Sequence, residues 1–240
     1  NGKQLRIRPV EHIGEEIEYL LTCGVEEITF ADSILNVPYE HSLQIFEEIG
    51  RRKLKFRWNS YMHLQNITEE YVQLAMDAGC SSMLFSPDAY SQPALDGMQK
   101  GITTSTIDAS MELFYTTPAF KELQVAYCFF LSPVGETMRG MLQSLLFFVQ
   151  WKLKRRKKIG IILAWIRLEP FTRAYETACK EKSIPKDLDL LPHDTDSLAQ
   201  SFYVAPAVSA LDFLLLTSLR LVRKILRALK FLLKLALSKR

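Results

Sequence analysis

Polar side chains that could bind a small molecule recur at one kind of place in this chain. Each follows a short apolar, β-prone run: Asp32 and Ser33 after Glu27–Phe30, Asn59 after Lys55–Trp58, Ser86 and Asp88 after Met83–Phe85, Ser132 after Val125–Leu131, and Arg167 at the end of Ile159–Arg167. If those runs are parallel strands of one sheet, their ends share one edge, and the polar groups gather on a rim. Carboxylates, an amide, hydroxyls and a guanidinium on one rim suit a polar small molecule carrying an amino group and ribose hydroxyls. Taken singly, Asp32 and Ser33 also suit a turn, and Asp88 a helix cap. The recurrence is what points to a site.

The elements between the runs are predicted helices. Pro9 is placed to open the first, with Val10, Ile13, Ile17, Leu20 and Leu21 at helical spacing and Gly24 to close it. Helices follow over Tyr39–Arg51, from a Thr68 cap to Ala78-Gly79, and over Gln92–Met98, Thr104–Tyr115, Glu136 to about Lys154, and Phe171–Lys182. Leu123–Thr137 (LQVAYCFFLSPVGET) is the clearest unit, an apolar strand that stops at Ser-Pro-Val-Gly-Glu-Thr and feeds a long helix. Five strand–helix steps behind a leading helix imply parallel pairing and right-handed crossovers. The expected fold is α/β, a partial (β/α) TIM-like barrel over 1–182. An irregular acidic connector over 183–209 and a basic amphipathic helix over 210–240 complete the expected division. A leading helix without a strand before it fits a chain from which one strand and its loop have been cut.

Charge is unevenly placed. The 240 residues hold 30 Lys and Arg against 27 Asp and Glu. Eight of the basic residues lie beyond Phe213 with no acid among them, leaving 22 basic residues against 27 acidic ones in the body. An acidic body argues against nucleic-acid binding by the fold. Arg220, Arg223, Lys224, Arg227, Lys230 and Lys234 make one basic face on the tail, and no uncharged stretch there reaches a membrane-spanning length. Two readings of 213–240 stay open: peripheral contact with an anionic membrane, or packing on the body or a partner. Cys23, Cys80, Cys128 and Cys179 are too dispersed for a metal motif or a disulfide framework and read as reduced thiols, with a cytoplasmic setting expected. His12, His41, His63 and His193 fall in predicted helices or loops and read as surface residues.

Five ordered segments resemble the radical S-adenosylmethionine (SAM) superfamily, particularly its cobalamin-binding-domain type, over roughly residues 5 to 205. RIRPVEHIGEEIEYLLTCGVEEITFADSILN is similar to the family's first helix and second strand, and WNSY to its third strand end. AGCSSMLFSPDAYSQPALDGMQKGIT is similar to "AGC…G-x-E-S…L-x-x-x-x-K-G-x-T". FFLSPVGET resembles "G-x-P-G-E-T", and IRLEPFTRAYETACKEKSI resembles "R-x-x-P-x-T-x-L-x-x-x-A-x-x-x-G-x-I". The resemblance implies a 4Fe-4S cluster that donates an electron to SAM. The resulting 5′-deoxyadenosyl radical starts a methyl transfer or skeletal rearrangement on a small substrate, with cobalamin in the full-length protein. It implies that Asp32 and Ser33 meet the SAM amino group, Asn59 its methionine moiety and Asp88 its ribose, with Ser132 and Arg167 framing the cofactor. The chain departs from the family pattern. The cluster motif CxxxCxxC is absent, Asp88 stands for Glu, and Ser132, Val134 and Phe171 stand where glycines are usual. An inactive barrel serving as a binding or membrane-associated scaffold is therefore the alternative expectation.

Overall fold

The computed structural model describes residues 6–154, 159–185, 188–215 and 217. In chain order the elements are α1 (Val10–Thr22), β1 (Glu27–Phe30), α2 (Tyr39–Arg51), β2 (Arg57–Met62), α3 (Glu69–Asp77), β3 (Cys80–Asp88), α4 (Gln92–Gly97) and α5 (Thr104–Thr116). They continue with β4 (Gln124–Phe130), α6 (Met138–Leu153), β5 (Ile159–Ala164), β6 (Ile166–Arg167), α7 (Arg173–Glu181), α8 (Thr195–Gln200) and β7 (Phe202–Tyr203). The first five strands form one sheet in the order β1-β2-β3-β4-β5, every pair parallel. Sequential order with same-handed crossovers places the connecting helices on one face, as in a barrel wall rather than a doubly wound sheet. This is the expected partial (β/α) barrel architecture.

Alternation along the strands divides the two faces. Trp58, Ser60 and Met62 of β2, Met83 and Phe85 of β3, and Val125, Tyr127 and Phe129 of β4 are buried against the helices. Their neighbours, including Asn59, Tyr61, Ser82, Leu84, Ala126 and Cys128, turn to the other face and are only partly covered. Aromatic rings knit the helical face together. Trp58 stacks on Phe46 of α2, Tyr127 stacks on Phe85, and Phe129 packs on Phe147 and Phe148 of α6. The Trp58 indole N–H donates to the Ala78 carbonyl at 2.9 Å, so this large ring is buried with its polar atom satisfied. Four helices open on threonine caps: Thr68 accepts from the Tyr71 N–H, Thr103 from Thr106, Thr137 from Gly140 and Thr172 from Tyr175.

Several boundaries differ from the sequence reading. β2 does not stop at Trp58 but runs to Met62, and β3 begins at Cys80 and continues to Asp88. Asn59 and Ser82 are compatible with strand because the open face tolerates polar side chains, while Ser60, buried on the helical face, and Ser81 donate to the carbonyls of Phe30 and Trp58. The run 159–167 is two strands, since β6 leaves the sheet and pairs antiparallel with β7. The stretch read as irregular therefore contains a helix and a strand, α8 and β7. α8 is capped by the Asp194 carboxylate, which accepts from the Ser197 N–H at 2.8 Å. A second, smaller core gathers Val134, Met141, Ile166, Leu168, Ala178, Tyr203, Ala205 and Val208. A further helix begins at 209, with Leu211 and Leu215 packed on that core. Most of the predicted basic tail, from 218 onward, lies outside the described residues, as do 155–158 of the basic cluster after α6.

Candidate functional site

Because the five strands are parallel, their C-terminal ends share an edge, and most of the sequence-predicted residues lie along it. Asp32 and Ser33 sit in the exposed loop after β1. That loop is held by Asn36, whose amide bridges His63 just beyond β2. The Asn36 Nδ2 donates to the His63 carbonyl at 2.9 Å, and the His63 N–H donates to the Asn36 Oδ1 at 2.7 Å. The Leu35 N–H adds a 2.9 Å bond to the Tyr61 carbonyl. The buried side chain that fixes this loop is thus Asn36, while its neighbours Asp32 and Ser33 face solvent. Asp32 also lines a cavity of about 580 Å³ beside the free edge of β1, together with Arg8, Glu16, Thr29 and apolar residues of α1.

Asp88 is the last residue of β3 and has a left-handed backbone, φ 66°. Register slips between Phe85 and Asp88, which pair with Tyr127 and Phe129, so a bulge re-aims the strand end. The Asp88 carboxylate meets the Lys100 ammonium at 2.7 Å, with both side chains mostly covered. Lys100 also bears on His63, whose pKa is held below the ordinary value by burial and then by that nearby cation. A histidine, an ammonium and a carboxylate therefore gather at the ends of β2 and β3. Cys128 lies beside them in β4, its thiol pushed up by burial and engaged with Ser86. His63 was expected on the surface. It lies instead at the rim, because β2 runs four residues beyond Trp58.

The remaining candidates do not join this group in the way expected. Asn59 lies within β2, level with Thr29 of β1, and about 10 Å short of the Met62 end at ~3.3 Å per residue. It is on the open face but not at the strand end. Ser132 follows β4 and is buried, its Oγ accepting the Ala205 N–H at 3.0 Å. That hydroxyl ties the sheet edge to the smaller core. Arg167 belongs to the β6–β7 ribbon rather than the five-stranded sheet, and its guanidinium donates to the Leu190 carbonyl at 3.2 Å. Lys100 was not singled out from the sequence. Its only signal was its place in the K-G-x-T segment, twelve residues from the acid it pairs with.

The turn after β4 is a packing junction. Glu136 is buried, and its Oε1 accepts both the Ser91 hydroxyl at 2.6 Å and the Thr137 N–H at 2.9 Å. Ser91 precedes α4 and Thr137 precedes α6, so one carboxylate joins the starts of two helices. Burial pushes the Glu136 pKa up, against the opposing effect of its two hydrogen bonds.

No residue set described here fits an iron–sulfur cluster. Among the described residues, no three His, Cys, Asp or Glu side chains gather as metal ligands. Cys23, in the turn after α1, and Cys179 of α7 are exposed, while Cys80 is buried with its thiol pushed up to about 12, the reverse of what a thiolate ligand needs.

The fold has known counterparts. The radical SAM methyltransferase TsrM from Kitasatospora setae, with cobalamin and a 4Fe-4S cluster bound, superposes with a TM-score of 0.65 at 16% identity, covering 84% of this chain and 44% of TsrM. The cobalamin-dependent radical SAM enzyme OxsB matches with a TM-score of 0.53 at 14% identity, over 85% of this chain and 36% of OxsB. An uncharacterized methyltransferase of Pyrococcus horikoshii is 25% identical over 182 residues, 74% of this chain and 37% of that protein. No family model matches the sequence. The chain thus has the fold of cobalamin-dependent radical SAM enzymes, as the five sequence segments imply, and spans less than half the length of each of these relatives.

Proposed function

We propose that this chain is the SAM-binding core of a radical SAM enzyme of the methyltransferase kind. Its cluster ligands would lie on residues outside this sequence, with cobalamin bound elsewhere in the full protein. The observation that carries the reading is the rim itself: a singly wound parallel sheet whose C-terminal edge bears Asp32, Ser33, His63, Asp88 and Lys100. On this reading Asp88 accepts the ribose hydroxyls of SAM, and Lys100 holds one carboxylate oxygen so that the group stays oriented. Asp32 and Ser33, free in their loop, receive the amino group. Asn59 lies deeper on the open face, where it bounds the methionine moiety. Ser132 and Arg167 act from outside the pocket, by fixing the smaller core and ribbon against the sheet edge. The cluster finds no ligand set among the described residues, so on this reading these residues bind and orient; they do not cleave SAM by themselves.

Asp88→Asn is the discriminating variant. Asparagine tolerates a left-handed backbone, so the bulge survives. The loss of a charge-assisted acceptor should lower SAM affinity about tenfold. Equilibrium dialysis with labelled SAM reads this directly, and equal affinity in variant and wild type would remove Asp88 from the site.

A second reading, an inactive barrel serving as a scaffold, has its own support. Asp88 is already neutralised by Lys100, Ser132 is engaged with Ala205, and Phe171 stands at φ 62° with its ring exposed where the family has glycine. A wild-type chain that bound no SAM would favour it.

A further inference from the structure

Glu136, the acid of the turn after β4, uses only one of its two oxygens. The residue is 4% exposed, and the Ser91 hydroxyl and the Thr137 N–H both donate to Oε1. Oε2 accepts no hydrogen bond from the described residues. Among those residues no enclosed side-chain oxygen lacks a partner, so the unpartnered Oε2 must open to free space. That space is a cavity of about 370 Å³, which Glu136 lines together with Glu181, Tyr203 and the turn Ala205-Pro206-Ala207.

The wall of this cavity is rich in acceptors and poor in donors. The buried Tyr203 donates its hydroxyl proton to the Glu181 Oε2 at 2.6 Å, so that proton is committed while the phenol oxygen can still accept. The Ala205 N–H is taken by Ser132 and the Glu136 N–H by the Pro133 carbonyl, and Pro206 has no N–H. Glu181 is exposed at the end of α7, whereas Glu136 is covered, so the cavity carries one carboxylate at its mouth and one at its buried end. No cation acts on Glu136: burial raises its pKa, and only its two hydrogen bonds oppose that. A covered carboxylate without a counter-charge is stabilised most by a ligand that brings the positive charge with it. A bare metal ion suits the wall less well, since among the described residues no three His, Cys, Asp or Glu side chains gather as ligands. An ammonium on an alkyl chain matches both the acceptors and the apolar Ala-Pro-Ala surface.

We propose that this cavity binds a small primary alkylammonium ligand, whose N–H groups donate to the Glu136 Oε2 and whose chain lies over Ala205-Pro206-Ala207, with Glu181 at the mouth. The site shares no residue with the rim that carries Asp32, Ser33, His63, Asp88 and Lys100, so it stands independently of what the rim binds.

The test follows the thermal transition of the 240-residue chain above neutral pH against n-butylammonium chloride, with ionic strength held constant by sodium chloride and no SAM present. A ligand that binds only the folded state raises the transition in a concentration-dependent way. Wild type should show such a rise, and tetramethylammonium, which has the charge but no N–H to donate, should give none. Glu136→Gln keeps an oxygen for Ser91 and Thr137, and it should need about tenfold more butylammonium for the same rise. Glu181→Gln, an exposed change that leaves the buried junction intact, should need about threefold more, and it serves as the test if Glu136→Gln folds poorly. The proposal is overturned if butylammonium does no more than sodium chloride, if tetramethylammonium acts equally, or if either variant responds as wild type does. It is also overturned if magnesium raises the transition at lower concentration than butylammonium and both variants abolish that rise, which would make this a divalent-cation site.

Discussion

Replacing Gly135 by alanine should destabilise the fold by about 3 kcal/mol or more, through left-handed strain and a steric clash acting together. Gly135 has φ +81°, a conformation in which a side chain crowds its own backbone. A Cβ there would also lie 2.8 Å from the Pro93 carbonyl oxygen and 3.1 Å from the Gly97 Cα. Both obstacles are main chain, so no rotamer change relieves them. The converse holds at Gly97, where a Cβ would meet the Val134 carbonyl oxygen at 2.5 Å. The end of α4 and the turn after β4 approach so closely that neither glycine has room for a methyl group. Urea unfolding should show both variants shifted to lower midpoints. The double variant should be less destabilised than the sum of the two, because both open the same contact. Wild-type stability in Gly135→Ala would mean that this approach does not occur.

Glu136→Ala should cost a similar amount, about 3 kcal/mol, because it leaves the buried Ser91 hydroxyl and the Thr137 N–H without their acceptor and opens a cavity. Glu136→Gln keeps an oxygen for both donors and should be tolerated. The two variants separate the hydrogen bonds from the charge. The folded-state pKa of Glu136 lies above its unfolded value, so its contribution is fully present below the unfolded pKa, near 4.5. It is lost as pH rises through the folded pKa. Wild type should therefore lose stability over that interval relative to Glu136→Gln, in which the position cannot ionise, and the glutamine variant should be the more stable at neutral pH. Thermal melts across acidic to neutral pH read the crossing. Parallel melting curves for wild type and Glu136→Gln would contradict burial as the dominant influence on this carboxylate.

Much of the architecture was legible in the sequence, and the reasons are local. β1 and α2 have the bounds that their apolar spacing gives, and Thr68 caps α3 as its position implies. Five parallel strands follow from five strand–helix steps. What was hidden depends on tertiary context. Asn59 and Ser82 look like strand breakers until the open face of the sheet accommodates them. β6 and β7 are two residues each and pair Arg167 with Phe202, 35 positions on, and Ile166 with Tyr203, a separation no local pattern encodes. The site was legible in part for the same reason. Asp32, Ser33 and Asp88 follow strands and could be found by position. Lys100 and His63 reach the rim through the fold, the first by closing back on β3 and the second because β2 is longer than its apolar run. Glu136, the most deeply engaged acid of the turn, was visible only as a letter in the G-E-T segment.

The most direct test of the central claim is hydrogen exchange of the 240-residue chain with and without SAM. The rim reading predicts protection on the strand-end loops, 31–38, 62–66, 86–91 and 99–101, with the outer helices unchanged. Absence of protection at saturating SAM, or protection confined to the helical face, would contradict a SAM site at the C-terminal edge of the sheet.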